Sequence, residues 1–136
     1  MAATRKLFVN LAVRNLEKSK DFFGKLGFTF NPQFTDHNAA CMVLSDEAFV
    51  MLLQEPYFKT FTNRAVADAR QQTEGIYALS ADSKAEVDEL LKTAVANGAT
   101  EAMPGRDLGF MYSVAFYDLD GHHWEVVWMD PSALQQ

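Results

Sequence analysis

The chain has little of what would mark a special environment. One cysteine among 136 residues excludes an internal disulfide framework and suits a reducing compartment. No apolar run approaches the roughly 20 residues a membrane-spanning helix needs. No charged leader with an apolar centre opens the chain, so the cytoplasm is the expected location, with no membrane partner. Basic residues are scarce: 12 Lys and Arg against 18 Asp and Glu leave a net charge of −6. That balance argues against a nucleic-acid partner, because phosphate binding needs concentrated positive charge. What remains is 49% hydrophobic and 22% charged, an ordinary globular composition at a length that fits one domain over residues 1–136. The single thiol, Cys41, lies in the apolar run Ala39–Leu44 and reads as a buried, inert side chain.

Apolar periodicity then divides the chain. Leu7 to Val13 alternates as a strand, with Leu7, Val9, Leu11 and Val13 on one face and Phe8, Asn10 and Ala12 on the other. Asn15 can cap a helix from Leu16 to about Leu26, which Gly27 ends, and Leu16, Phe22, Phe23 and Leu26 form its apolar stripe. Strands follow near Phe28–Phe34, Ala39–Leu44 and Ala48–Gln54. Pro56 stops the last of them, and Tyr57, Phe58 and Phe61 make residues 57–73 a packed connector, with a short helix expected from Val66. The order then repeats. Ile76–Ala81 is a strand, Asp82 or Ser83 caps a helix from Lys84 to Ala96, and strands follow near Glu101–Met103, Phe110–Tyr117 and His122–Met129. Pro104 to Gly109 reads as a loop carrying Arg106, most simply a solvated residue. Two β-α-β-β-β modules, about 6–56 and 74–130, therefore form an α+β fold whose curved mixed sheets surround a cleft. On this phasing Phe8, Asn10, Tyr77 and Leu79 face the cleft, whereas Ile76, Ala78 and Ser80 face a helix.

The segment Phe116–Trp128 carries most of the chemistry. Asp118-Leu119-Asp120-Gly121 is a tight turn between two strands, with Asp bonding local backbone donors and Gly accepting positive φ. Beyond it, His123, Glu125 and Val127 point one way and Trp124, Val126 and Trp128 the other. A carboxylate on so apolar a strand is costly unless it is wet or partnered. Glu125 is the candidate catalytic base, and His123, two residues away, can share its ligand. His122 points to the opposite face, and His37 reads as a solvated loop residue. Tyr112 and Phe116 share parity and can line an aromatic cavity.

These features resemble the vicinal oxygen chelate superfamily, which includes glyoxalases, bleomycin-resistance proteins and extradiol dioxygenases. The resemblance rests on Phe8-Val-Asn-Leu-Ala-Val-Arg-Asn-Leu-Glu-Lys-Ser, on Phe22-Phe23 before Leu26-Gly27-Phe28, on Val87-Asp-Glu-Leu-Leu and Asn97-Gly98-Ala99, and on the turn leading to Glu125. It implies paired β-α-β-β-β modules, frequent dimers, and a divalent metal that holds two adjacent substrate oxygens. The positions it would assign to metal ligands are Phe8, one near Val50, Gly75 and Glu125, and only the last offers a donor. Glu125 with His123 would be the remaining pair, short of the three or more donors a divalent site needs.

Three functional readings stay open on this basis. The leading one is a small-molecule binder with a hydrophobic cleft, no cofactor, and Phe8, Asn10, Tyr77, Tyr112 and His123 around the ligand, with Glu125-dependent proton transfer as its activity. The second is a metal-dependent lyase or dioxygenase. The third is a non-catalytic sequestering or interaction module, with a homodimer seam built from residues 57–61 and the tryptophan-rich last strand.

Overall fold

The computed structural model describes residues 5–134, and the chain divides into two compact units, the first ending at Val66 and the second beginning at Ala67. The first unit runs β1 (Leu7–Val13), α1 (Leu16–Lys25), β2 (Thr29–Asn31), β3 (Ala39–Val43) and β4 (Ala48–Gln54), followed by the single helical turn α2 (Glu55–Phe58). The second runs β5 (Ile76–Ser80), α3 (Lys84–Ala96), β6 (Thr100–Asp107), β7 (Met111–Tyr117) and β8 (His123–Met129). Each unit holds one four-stranded sheet, in the orders β1-β4-β3-β2 and β5-β8-β7-β6. In both, the first strand pairs parallel with the last, and the other pairs are antiparallel. The α+β fold with two β-α-β-β-β units expected from the sequence is therefore present.

Local sequence explains the helices. Asn15 accepts the Lys18 N–H at 3.1 Å, Glu17 sits in the first turn of α1 and Lys25 in the last, matching the helix dipole. Gly27 follows at φ 100°, a conformation that costs other residues strain. Ser83 accepts from Glu86 N–H while the Glu86 carboxylate accepts from Asp82 N–H, a reciprocal cap on α3. Phe22 and Phe23 are buried with Leu11, Val13, Val50 and Leu52 in the first unit. Each buried Phe contributes roughly 1.5–3 kcal/mol from removal of apolar surface.

Three expectations fail here. The helix expected from Val66 is only a turn, in which Asp68 O accepts from Gln71 and Gln72 N–H and the Asp68 carboxylate binds Arg70. That carboxylate competes for the donors a helix would use. The first part of the 57–73 connector is not packed: Phe61 is 65% exposed, with only Tyr57 stacked edge-on against it. Residues 104–107 are strand, not loop, because two register shifts between Glu101 and Arg106 let β6 pass Pro104 and resume pairing at Arg106 and Ser113.

Candidate functional site

In the second unit the pairing registers fix which side chains share a face. Tyr112 donates its hydroxyl to Asp88 of α3, and the Lys84 ammonium of α3 lies 5.9 Å from the Tyr112 ring and 5.5 Å from the Trp128 ring. The face of β7 and β8 that carries Tyr112, Val114, Phe116, Trp124, Val126 and Trp128 is thus the helix side. The opposite face reads in rows across the strands. Ile76, His123, Tyr117 and Thr100 form one row; Ala78, Glu125, Ala115 and Met103 form the next; Ser80, Val127, Ser113 and Arg106 form the third. Met111 and Met129 complete it.

His123 and Glu125 therefore stand on one face, with Cβ atoms about 6.5–7 Å apart by strand geometry. His123 is only 9% exposed, and its Nε2 has no hydrogen-bond partner among the described residues. The Tyr117 ring meets it edge-on at 5.4 Å. Glu125 is half-buried between two alanines, Ala78 and Ala115. Short neighbours on both sides leave its carboxylate the tallest group in the middle of its row. In the first unit, Phe8 and Asn10 lie on the sheet face opposite Leu11 and Val13. Phe8 stacks on Phe49 at 4.9 Å and stays 50% exposed, and Asn10 Nδ2 donates to Phe8 O.

Two expected ligand contacts fall on the other side of the second sheet. Tyr77 pairs with Trp124, and their rings lie 5.5 Å apart on the helix side, so Ile76, Ala78 and Ser80 are the residues that share a face with Glu125. Burial first, then the charges of Glu74 and Asp118, raise the Tyr77 phenol above its ordinary value. Tyr112 is likewise on the helix side, where its bond to Asp88 is the main cause of a raised phenol pKa. Phe116 is buried on the helix side, paired across the strands with Trp124. Gly75, taken as the counterpart of Phe8, precedes the strand; the face-matched position is Ile76. Val50 points to the helix side of the first sheet, so Phe49 and Met51 are the β4 positions that share a face with Phe8.

Asp118, expected from the sequence only as a turn residue, is buried in the structure. It is 7% exposed, and burial raises its pKa against the opposing pull of His122 and Trp124. Its Oδ1 accepts from Asp120 and His122 N–H at 2.9 and 3.0 Å, and its Oδ2 accepts from Trp124 Nε1 at 2.9 Å. Position two residues before an Asp-Gly turn was a signal for the backbone bonds; the indole bond had none. A recess of about 400 Å³ lies beside this turn, lined by residues 69–73 with Thr100 and Tyr117, and away from Glu125.

The divalent metal implied by the resemblance does not fit these residues. On the Glu125 face His123 is the one imidazole among the described residues, and its partners across the strands are Ile76 and Tyr117. Among the described residues no three His, Cys, Asp or Glu side chains converge as a cation site. The corresponding face of the first sheet carries Phe8, Phe49 and Met51 with the amide of Asn10 and the buried thiol of Cys41, short of the three or more donors such an ion takes.

The architecture defines a class of paired β-α-β-β-β proteins, and comparison with known proteins gives it a name. Residues 5–45 match the family model described as bleomycin resistance protein-like N-terminal. The hypothetical protein SA1046 from S. aureus is 26% identical, with 93% of this chain and 95% of that chain covered and a TM-score of 0.77. A glyoxalase-related enzyme from Fulvimarina pelagi shares 20% identity over 93% of this chain and 88% of its own, with a TM-score of 0.78. The fosfomycin resistance protein FosX from Mesorhizobium loti shares 16% identity over 98% of both chains, with a TM-score of 0.68. No curated protein matches. The fold is the one found in glyoxalase-related and fosfomycin resistance proteins, and residues 5–45 are similar to the N-terminal part of bleomycin resistance proteins. No helix among the described residues is long and apolar enough to cross a membrane.

Proposed function

We propose that this protein binds a small organic molecule on the face of the second sheet opposite α3, through His123 and Glu125, without a tightly bound catalytic metal. The observation that carries this reading is the buried His123 Nε2, which has no hydrogen-bond partner among the described residues, two residues from a carboxylate on the same face. An unsatisfied buried polar group costs roughly 1–3 kcal/mol, and a ligand that returns the bond recovers that cost on binding. Ile76, Met103, Met111 and Val127 supply apolar contact on the same face, with methionine suited to irregular ligand shapes. Phe8 and Asn10 offer the same kind of contact on the corresponding face of the first sheet. The Glu125 carboxylate, flanked by Ala78 and Ala115 and with no ion pair among the described residues, is placed to meet a proton of the ligand, so proton transfer is the activity proposed. The likeness of residues 5–45 to bleomycin resistance proteins, and of the fold to FosX, favours a resistance-type ligand.

The first experiment is elemental analysis of protein purified without chelators. Nickel, zinc, manganese or iron near one equivalent would overturn the metal-free reading in favour of the metal-dependent lyase or dioxygenase. The second is a thermal-shift screen of resistance-class compounds, including bleomycin and fosfomycin, on the wild type, Glu125→Gln and His123→Ala. Stabilisation that His123→Ala abolishes supports the site. Chemical change of the compound that is lost in Glu125→Gln supports proton transfer, and binding without change by either form supports sequestration. Cytoplasmic location and a homodimer complete the proposal, the latter checked by light scattering.

A further inference from the structure

We propose that Asp118 is the positioning residue of the His123–Glu125 face: its carboxylate fixes the start of β8, and so decides where both side chains stand. This rests on the function proposed above. Three bonds converge on the one carboxylate, two from the turn and one from the strand beyond it. Asp120 and His122 N–H hold the turn in shape, and Trp124 Nε1 ties down the residue that lies between His123 and Glu125 in sequence. A strand has a side-chain period of two, so a slip of one residue would carry His123 and Glu125 to the helix side and bring Trp124 out. The indole bond forbids that slip, because Trp124 reaches Asp118 only from the helix side. Asp118 N–H also donates to His122 O, which closes the turn on itself.

The turn is held from outside as well. A methyl group on Gly121 would lie 2.8 Å from Ala69 C and O and from Arg70 N, so residues 69 and 70 lie directly on the turn. Tyr117, immediately before Asp118, packs its ring on His123. Asp118 thus lies between Tyr117, which packs on His123, and the rest of the turn that leads into β8.

The test begins with the unaltered protein. Hydrogen exchange followed by nuclear magnetic resonance should find Asp120 N–H, His122 N–H and the Trp124 indole N–H protected together with the amides of β8. Free exchange of Asp120 and His122 while β8 stays protected would overturn the proposal. The second arm is Asp118→Asn, nearly isosteric but with one oxygen replaced by a donor. Trp124 indole exchange should quicken at least tenfold, and the His123 ring resonances should move, while the signals of Tyr112, at the far end of the sheet, and of Asp88 on α3 hold. A merely structural role would loosen all of them together, and unchanged His123 resonances in a folded Asp118→Asn would overturn the proposal. These signals need no ligand, so they judge Asp118 even if the screen fails. Where a binder is found, Asp118→Asn should weaken it about as much as His123→Ala does.

Discussion

Replacing Gly121 by alanine isolates what the turn before β8 demands. Gly121 has φ 93°, and Gly27, at the end of α1, has φ 100°, so both hold a conformation that L residues resist. That strain costs roughly 1–2 kcal/mol for alanine, less about 0.4–1 kcal/mol regained because the unfolded chain loses freedom. Gly27→Ala should therefore cost about 1 kcal/mol, since nothing lies within 4 Å of the added methyl. Gly121→Ala carries the same strain and adds a collision, its methyl 2.8 Å from backbone atoms of Ala69 and Arg70 that cannot rotate aside. Overpacking of this kind costs a further 1–3 kcal/mol or so. Urea unfolding followed by circular dichroism should place Gly121→Ala about 1–3 kcal/mol below Gly27→Ala. Equal midpoints for the two variants would refute the close approach of residues 69 and 70 to the turn.

Other outcomes follow from the same geometry. Trp124→Phe removes a buried indole and leaves Asp118 short of a donor, so a loss of about 2–4 kcal/mol is expected in urea unfolding. Asp118 has a folded pKa raised by burial above the ordinary 3.8, so the native state takes its proton first and this group's contribution to stability grows as pH falls through the raised value toward 3.8. Relative to Asp118→Asn, the wild type should gain stability over that acid interval, and a pH series of urea midpoints checks it. Asp107 and Asp130 behave oppositely: bonds from Gly109 and Ser132 lower their pKa values, so their contributions are held above 3.8 and lost below it. Phe61→Ser should change stability by less than about 0.5 kcal/mol, as an exposed position does; a drop in mass by light scattering in that variant would identify residues 57–61 as a dimer seam.

The fold was legible because its signals are local. Residues 84–96 read as a helix from a cap at Asp82 or Ser83, β1 from alternation and β4 from the Pro56 stop, all with the bounds observed. The sheet faces were legible where a helix stripe set the phase, as in β1, and illegible in β5. There, Ile76, Ala78 and Ser80 alternate with Tyr77 and Leu79, and both sets are partly apolar. The phenol of Tyr77 made its face look like a binding face, yet the ring is amphipathic and packs on Trp124. The strand through Pro104 was hidden for a related reason. Proline and glycine mark turns locally, but an edge strand can absorb them through register shifts that only its partner β7 reveals. That His123 and Glu125 share a sheet face followed from parity alone, whereas the Asp118 contact depends on an indole six residues away, which no local pattern encodes.

Both tryptophans of the chain, Trp124 and Trp128, stand on the helix side of a single strand in the second unit, and the first unit has none. Intrinsic fluorescence is therefore a built-in reporter of one half of the molecule, while far-ultraviolet ellipticity sums over both. Along one denaturant gradient, coincident emission and ellipticity curves would mark the two halves as a single cooperative body. Emission that leads or lags would give the second half its own stability, and the first half's by difference.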